Sequence, residues 1–292
     1  PRATATFKNP AQVLDYKRFM SDSLLKCYTE EVEILRDITP EIPITTNFMA
    51  DFKPLNYFKW AEKMDIVGFD CYPDIGSEYQ ESWAAFNYDL MRGLKENSSF
   101  ILMEQAPNQV QWRDTNPNKR PGIMRQGSYQ ALAHGADGIM FFQWRQSNQG
   151  AEKFHSGIVT HIGDKNSRVF KEVTNLGYEL DKLSELTGAK VLSEVAILFD
   201  YENWWAVENE TTPSNEVKYL DQIRNYYDPL FKSNIPVDIV SYDGDFSNYK
   251  IVIAPLMYMI KEGVAEKIEK FVNQGGVFIT SFFSGIVNET DK

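Results

Sequence analysis

The fold turns on one stretch, Phe100 to Asp114, FILMEQAPNQVQWRD. Four apolar residues, Phe100 to Met103, read as a buried strand, and the strand runs straight into a carboxylate, Glu104. A charge closing an apolar run is costly unless it is paired or used. Arg113, Arg125 and Arg145 are the candidate ion-pair partners, and catalysis is the alternative.

Outward from this stretch, helical and strand patterns alternate. Leu25, Tyr28, Val32 and Leu35 recur at helical spacing between Asn9 and Asp37, and Pro40 and Pro43 break that pattern. Strands are expected at Ile44 to Met49, Asp65 to Asp74 and Gly138 to Trp144, with helices at Leu55 to Met64, Glu81 to Glu96 and around GIMRQGSYQALAHGA. Val169, Val173, Leu176, Leu180 and Leu183 stripe a further helix ending near Gly188. Alternation of this kind implies parallel strands with crossover helices. The strands are continuously apolar, so both sheet faces are expected to be covered. An α/β barrel and an open doubly wound sheet both satisfy the pattern. A whole barrel has eight strands, and four precede residue 190, so a barrel would be half present.

Near Lys190 the composition changes. VAILFDY, PVDIVS, KIVIAPL and VFITSF are strand-like, and the helix EGVAEKIEKFVNQGG stops on Gly275 and Gly276. This segment reads as an open flavodoxin-like sheet, cut short at its C-terminal end, with an irregular polar loop around ENETTPSNE. Neither GxGxxG nor GxxxxGK[ST] occurs in it.

The chain has 292 residues and a net charge of -11, with a pI near 4.9. A surface of that sign repels nucleic acid and anionic membranes, so neither is expected as a partner. Cys27 and Cys71 stand far apart, which implies two buried free thiols and no metal. No apolar run reaches the ~20 residues of a membrane span. The start PRATATF, without methionine, suggests a processed or truncated terminus.

The C-terminal ends of the first four strands carry Asn47, then Asp70 with Tyr72, then Glu104, then Gln143, Trp144 and Arg145. In a parallel barrel this is the face that carries the site. Trp112 and Phe142 sit by the same mouth, where core packing is the plainer role for each. Glu152 lies three residues before His155, a spacing that lets them orient one another on a helical face. Two such ligands are too few for a metal. Carboxylates, aromatics, an amide and one histidine suit a sugar.

The blocks LMEQAPNQVQWR, GIMRQGSYQALAHGADGIMFFQWRQ and EKFHSGIV together resemble the family 42 glycoside hydrolases, bacterial β-galactosidases. The similarity extends through DYKRFMSDSLLKCYTEEVEILRDITPEIPITTNFM and FKPLNYFKWAEKMDIVGFDCYPD, and the segment from Val195 resembles that family's trimerisation domain. The resemblance implies strands five to eight of a TIM (β/α)8 barrel over residues 1–189, then a flavodoxin-like trimerisation domain over 190–292. It implies a retaining β-galactosidase acting through a covalent galactosyl-enzyme, with no cofactor, trimeric when intact and cytoplasmic. By resemblance Glu104 is the nucleophile, Tyr72 lies close to it, Trp112 walls the galactose pocket, Phe142 lines it, and Glu152 and His155 bond galactose hydroxyls. The family's acid/base comes from an Asn-Glu pair closing barrel strand four. The Asn-Glu pairs here, at Asn209, Asn215 and Asn288, all lie in the second segment. The acid/base is therefore expected outside this chain, and the chain alone is expected to be inactive and prone to self-association at its open strand edges. A non-catalytic carbohydrate-binding or assembly module, or a retaining glycosidase for α-arabinosides or fucosides, fits the same residues.

Overall fold

The computed structural model describes residues 6–212 and 214–292; residues 1–5 and Pro213 of the polar loop lie outside the described residues. Helix α1 (Pro10–Ile38) starts where Asn9 accepts a bond from the Gln12 amide and Pro10 presets the first turn. Then follow β1 (Asn47–Met49), α2 (Tyr57–Ala61), β2 (Val67–Asp70), α3 (Gln80–Gly93), β3 (Phe100–Glu104), α4 (Ile123–Ala133), β4 (Ala136–Ile139) and α5 (Arg168–Asp181). These four strands form one parallel sheet in sequential order, the order of a barrel wall. Their C-terminal ends share one edge: Asp70 stands in register with Glu104, and the Cys71 amide donates to the Glu104 carbonyl.

The second sheet holds β5 (Val195–Phe199), β6 (Val237–Ser241), β7 (Ile251–Ala254) and β9 (Val277–Thr280), joined by α6 (Tyr201–Val207), α7 (Tyr219–Lys232) and α8 (Val264–Asn273). Its parallel order β6-β5-β7-β9 is the doubly wound, flavodoxin-like pattern. The short strands β8 (Met259–Ile260) and β10 (Val287–Asn288) pair beside it.

Helix α3 joins the two sheets. Residues Ala84 to Met91 are all buried, because Tyr88 packs on Phe69 and Phe100 of the first sheet and Phe86 on Phe199 of the second sheet and Tyr227 of α7. Arg92, 2% exposed, pins the seam. It ion-pairs with Asp89 and Asp238 and donates to the carbonyls of His134 and Val237. Asp89 also accepts from the Tyr227 hydroxyl and meets His134 Nδ1. Gly93 is required here: a Cβ would fall on the Ile239 carbonyl oxygen.

Four sequence expectations are corrected. The fourth strand begins earlier and ends at Ile139. Beyond it the Gln143 and Trp144 carbonyls are taken by the Ile158 and Val159 amides instead of the sheet, leaving Trp144 exposed. The stretch after Phe199 is helical: Asp200 caps α6 by accepting from the Asn203 amide. Not every strand of the first sheet is covered on both faces, since Met49 of β1 is 56% exposed. Finally, Cys71 is buried but Cys27 is exposed.

Candidate active site

Glu104 ends β3 at the shared C-terminal edge, and its side chain is half-buried. None of the three arginines expected as ion-pair partners fills that role. Arg113 donates to the Tyr72 carbonyl, Arg125 pairs with Glu179, and Arg145 forms a backbone bridge with Val159. The partner of Glu104 is instead Tyr72, whose hydroxyl donates to Oε2 at 2.5 Å. Burial and the Glu104 charge push the Tyr72 phenol far above its ordinary value, so it stays a donor.

One strand over, Asp70 accepts from the Asn47 amide at 2.6 Å through Oδ2, while its buried Oδ1 has no partner. Burial, with a smaller push from Glu104, raises the Asp70 carboxyl to about 6.

His155 is the hub of the opposite side, 0% exposed. Its ring sits 5.3 Å from the Trp112 ring, 5.0 Å from Phe142 and 6.0 Å from Tyr72. Trp112 in turn meets Tyr72 edge-on at 4.9 Å. Nε2 lies 3.2 Å from the Phe142 carbonyl and Nδ1 2.6 Å from the Gln111 side-chain amide. Nε2 faces the Phe142 carbonyl oxygen and Nδ1 faces Gln111 Oε1, both acceptors, while burial lowers the ring's proton affinity. Loop geometry holds this arrangement: the Ser156 amide donates to the Gln109 carbonyl, and Ser156 Oγ accepts from the Asn108 amide.

Tyr72, Glu104, Trp112, Phe142 and His155 are thus brought to one mouth. Trp112 is 52% exposed, so its ring is a surface open to a ligand rather than core. Glu152 is different. Its side chain is exposed, and its hydrogen bond to His155 runs from the His155 amide to the Glu152 carbonyl, not between side chains. Sequence reading missed Gln111, which orients His155, and Lys119, a buried ammonium lowered to about 8 by desolvation that donates to the Ala106 carbonyl. Nothing in their local sequence marks either one, because Gln111 acts on a residue 44 positions away and Lys119 folds back on its own loop. Among the described residues no group of three or more His, Cys, Asp or Glu is placed to hold a metal.

The profile described as β-galactosidase of glycoside hydrolase family 42 matches residues 1–183, and the β-galactosidase trimerisation domain profile matches 193–292. A β-galactosidase of Geobacillus kaustophilus is 54% identical over 292 residues, covering 100% of this chain and 43% of the relative. One from Lactobacillus acidophilus is 43% identical over 281 residues, covering 96% of this chain and 42% of its own length. The crystal structure of a β-galactosidase from Bacillus circulans sp. alkalophilus superposes with a TM-score of 0.95 at 47% identity, covering 100% of this chain and 43% of that one. The chain therefore spans under half the length of these relatives. Its first sheet is the C-terminal half of a TIM barrel and its second is flavodoxin-like. No helix among the described residues is long and apolar enough to cross a membrane. The chain belongs to the glycoside hydrolase family 42 β-galactosidases.

Proposed function

We propose that this chain supplies the nucleophile half of a retaining β-galactosidase. The observation that carries the reading is the Tyr72 hydroxyl on Glu104 Oε2, at the C-terminal edge of a parallel sheet and beside an exposed tryptophan. Glu104 attacks the anomeric carbon, the glycosidic bond breaks, and a covalent galactosyl-enzyme forms. Tyr72 fixes which carboxylate oxygen is free to attack. Trp112 offers an apolar ring face to the sugar. His155, oriented by Gln111, shapes the wall behind Trp112, and Phe142 and Glu152 complete the sugar-binding set. A second carboxyl group, about 5–5.5 Å from the nucleophile, protonates the leaving oxygen and then activates water. We assign it to the portion of the whole protein that this chain does not span.

In this reading residues 1–189 form the catalytic barrel portion and 190–292 the trimerisation portion of a homotrimer. The exposed Cys27 and buried Cys71, both unpaired, suit the reducing cytoplasm. The test is trapping of the full-length enzyme with a 2-fluoro-galactosyl fluoride, followed by peptide mass spectrometry. The adduct is expected on Glu104; an adduct on another carboxylate refutes the assignment.

A further inference from the structure

Two carboxyl groups stand side by side at this edge, and the chemistry above uses one of them. The pairing of β2 with β3 slips by one residue: Phe69 stands opposite Leu102, but Asp70 stands opposite Glu104, with Met103 left over between them. Neighbouring strands run about 4.8 Å apart, which makes the two acids immediate neighbours. Phe69 packs edge-on against Tyr88 of α3. By strand alternation Asp70 therefore points to the opposite face, away from the helices.

The surroundings of Asp70 favour its neutral form. Oδ2 accepts from the Asn47 amide at 2.6 Å, whereas Oδ1 is buried without a partner. Atoms of this chain already seal Oδ1 from water, so a cation elsewhere in the barrel has no open path to it. A buried carboxylate oxygen without a donor is costly, and a proton removes the charge. Among the described residues, Glu104 is the charge that acts on Asp70. The other groups around it are Asn47 of β1, which does not titrate, Tyr57 of α2, and Cys71 and Tyr72 just beyond β2. Burial raises all three of those acids, so they hold their protons near neutral pH. Burial also lifts the Asp70 carboxyl to about 6, against the Asn47 bond and with a further push from Glu104.

We propose that Asp70 is a positioning residue for the nucleophile: it holds a proton beside Glu104 while Glu104 is charged, and releases it when Glu104 carries the sugar. The proposal rests on the reading of Glu104 as nucleophile. When Glu104 bonds the anomeric carbon and the glycosidic bond breaks, its carboxylate becomes a neutral ester. The leaving oxygen takes its proton from the second carboxyl group, not from Asp70. The like charge beside Asp70 is then gone, its proton affinity falls, and its proton passes to water. Hydrolysis of the ester restores the Glu104 carboxylate, and Asp70 takes a proton back. By linkage, an ionised Asp70 favours the step that removes charge from Glu104, so attack is faster above pH 6 than below it.

The experiment traps the full-length enzyme with a 2-fluoro-galactosyl fluoride in a pH-stat. Attack exchanges a carboxylate for a fluoride ion, so the bond change itself neither takes up nor releases a proton. Protons released come from groups that feel Glu104 lose its charge. At pH 6 wild type is expected to release a few tenths of a proton per site more than Asp70→Asn, and the difference is expected to vanish at pH 4 and pH 8. The ratio of kcat/KM, wild type over Asp70→Asn, is expected to rise several-fold between pH 5 and pH 7. Equal release at pH 6, with the adduct on Glu104 by peptide mass spectrometry, overturns the proposal and leaves the nucleophile assignment standing. An adduct on another carboxylate overturns both. Asn47→Leu is the second variant, and it decides if Asp70→Asn does not fold by circular dichroism. Loss of the bond that favours the charged form is expected to move the pH of greatest release upward, and an unmoved maximum also overturns the proposal.

Discussion

The Tyr72 hydroxyl donates to Glu104 Oε2 at 2.5 Å, from the loop after one strand to the end of the next. A hydrogen bond to a charged group contributes about 1.5–3 kcal/mol. Tyr72→Phe in the full-length enzyme is therefore expected to lower kcat roughly 10- to 100-fold. Glu104→Gln, which removes the nucleophile itself, is expected to lower it by at least about 10³-fold. Steady-state kinetics on a nitrophenyl β-galactoside check both, and near-equal losses would show that Glu104 is not the attacking group.

Asp70 makes folding depend on pH. Its carboxyl titrates near 6 in the folded chain because burial penalises the charge, against an ordinary value near 3.8. Between those values the unfolded chain gives up the proton while the folded chain keeps it. The contribution is favourable below the lower value and is lost as pH rises through the folded one. Asp70→Asn removes that loss. Melting temperatures at pH 4 and pH 7 are expected to shift in the variant's favour at the higher pH, and a parallel offset at both would refute the assignment.

The seam between the sheets depends on charge satisfaction at Arg92. Arg92→Met takes the guanidinium away from the buried Asp89 and Asp238, and loss of one partner of a buried pair typically costs about 3–5 kcal/mol. Asp238→Asn added to Arg92→Met is expected to return part of it. Gly93→Ala attacks the same seam sterically, because its Cβ meets backbone, which cannot rotate away. Urea unfolding should show both single variants well below wild type.

His155 is positioned by Gln111 at 2.6 Å. Gln111→Leu leaves the ring packed against Trp112 and Phe142 but removes its polar guide, so KM for the galactoside is expected to rise several-fold, with a smaller change in kcat. Gln111→Glu keeps a partner for Nδ1 but one that favours the imidazolium. Its activity is expected to show a new dependence on pH between about 6 and 8, which a pH–rate profile detects.

The alternation of elements was legible in the chain because buried parallel strands are continuously apolar and crossover helices are striped. The glycines and prolines near element ends marked most boundaries to within a few residues. Helix α6 escaped, since YENWWAV is buried all round and shows no stripe. The fourth strand was overextended because Met140 to Trp144 is as apolar as a strand, yet its carbonyls pair with a returning loop.

At the mouth, the order of chemistry-bearing residues followed from the sequence alone. Asp70, Tyr72 and Glu104 fall at or just past the ends of apolar runs, and in a parallel sheet all such ends meet on one edge; Asn47, expected at the end of the first strand, instead opens β1. Which of them touch was decided only by the tertiary structure. Register and loop path placed the Tyr72 hydroxyl on Glu104, sent Arg113 to a backbone carbonyl, and turned Glu152 outward while burying His155. Local patterning reports which face a residue prefers. Hydrogen bonds between residues tens of positions apart depend on packing distances that no local pattern encodes.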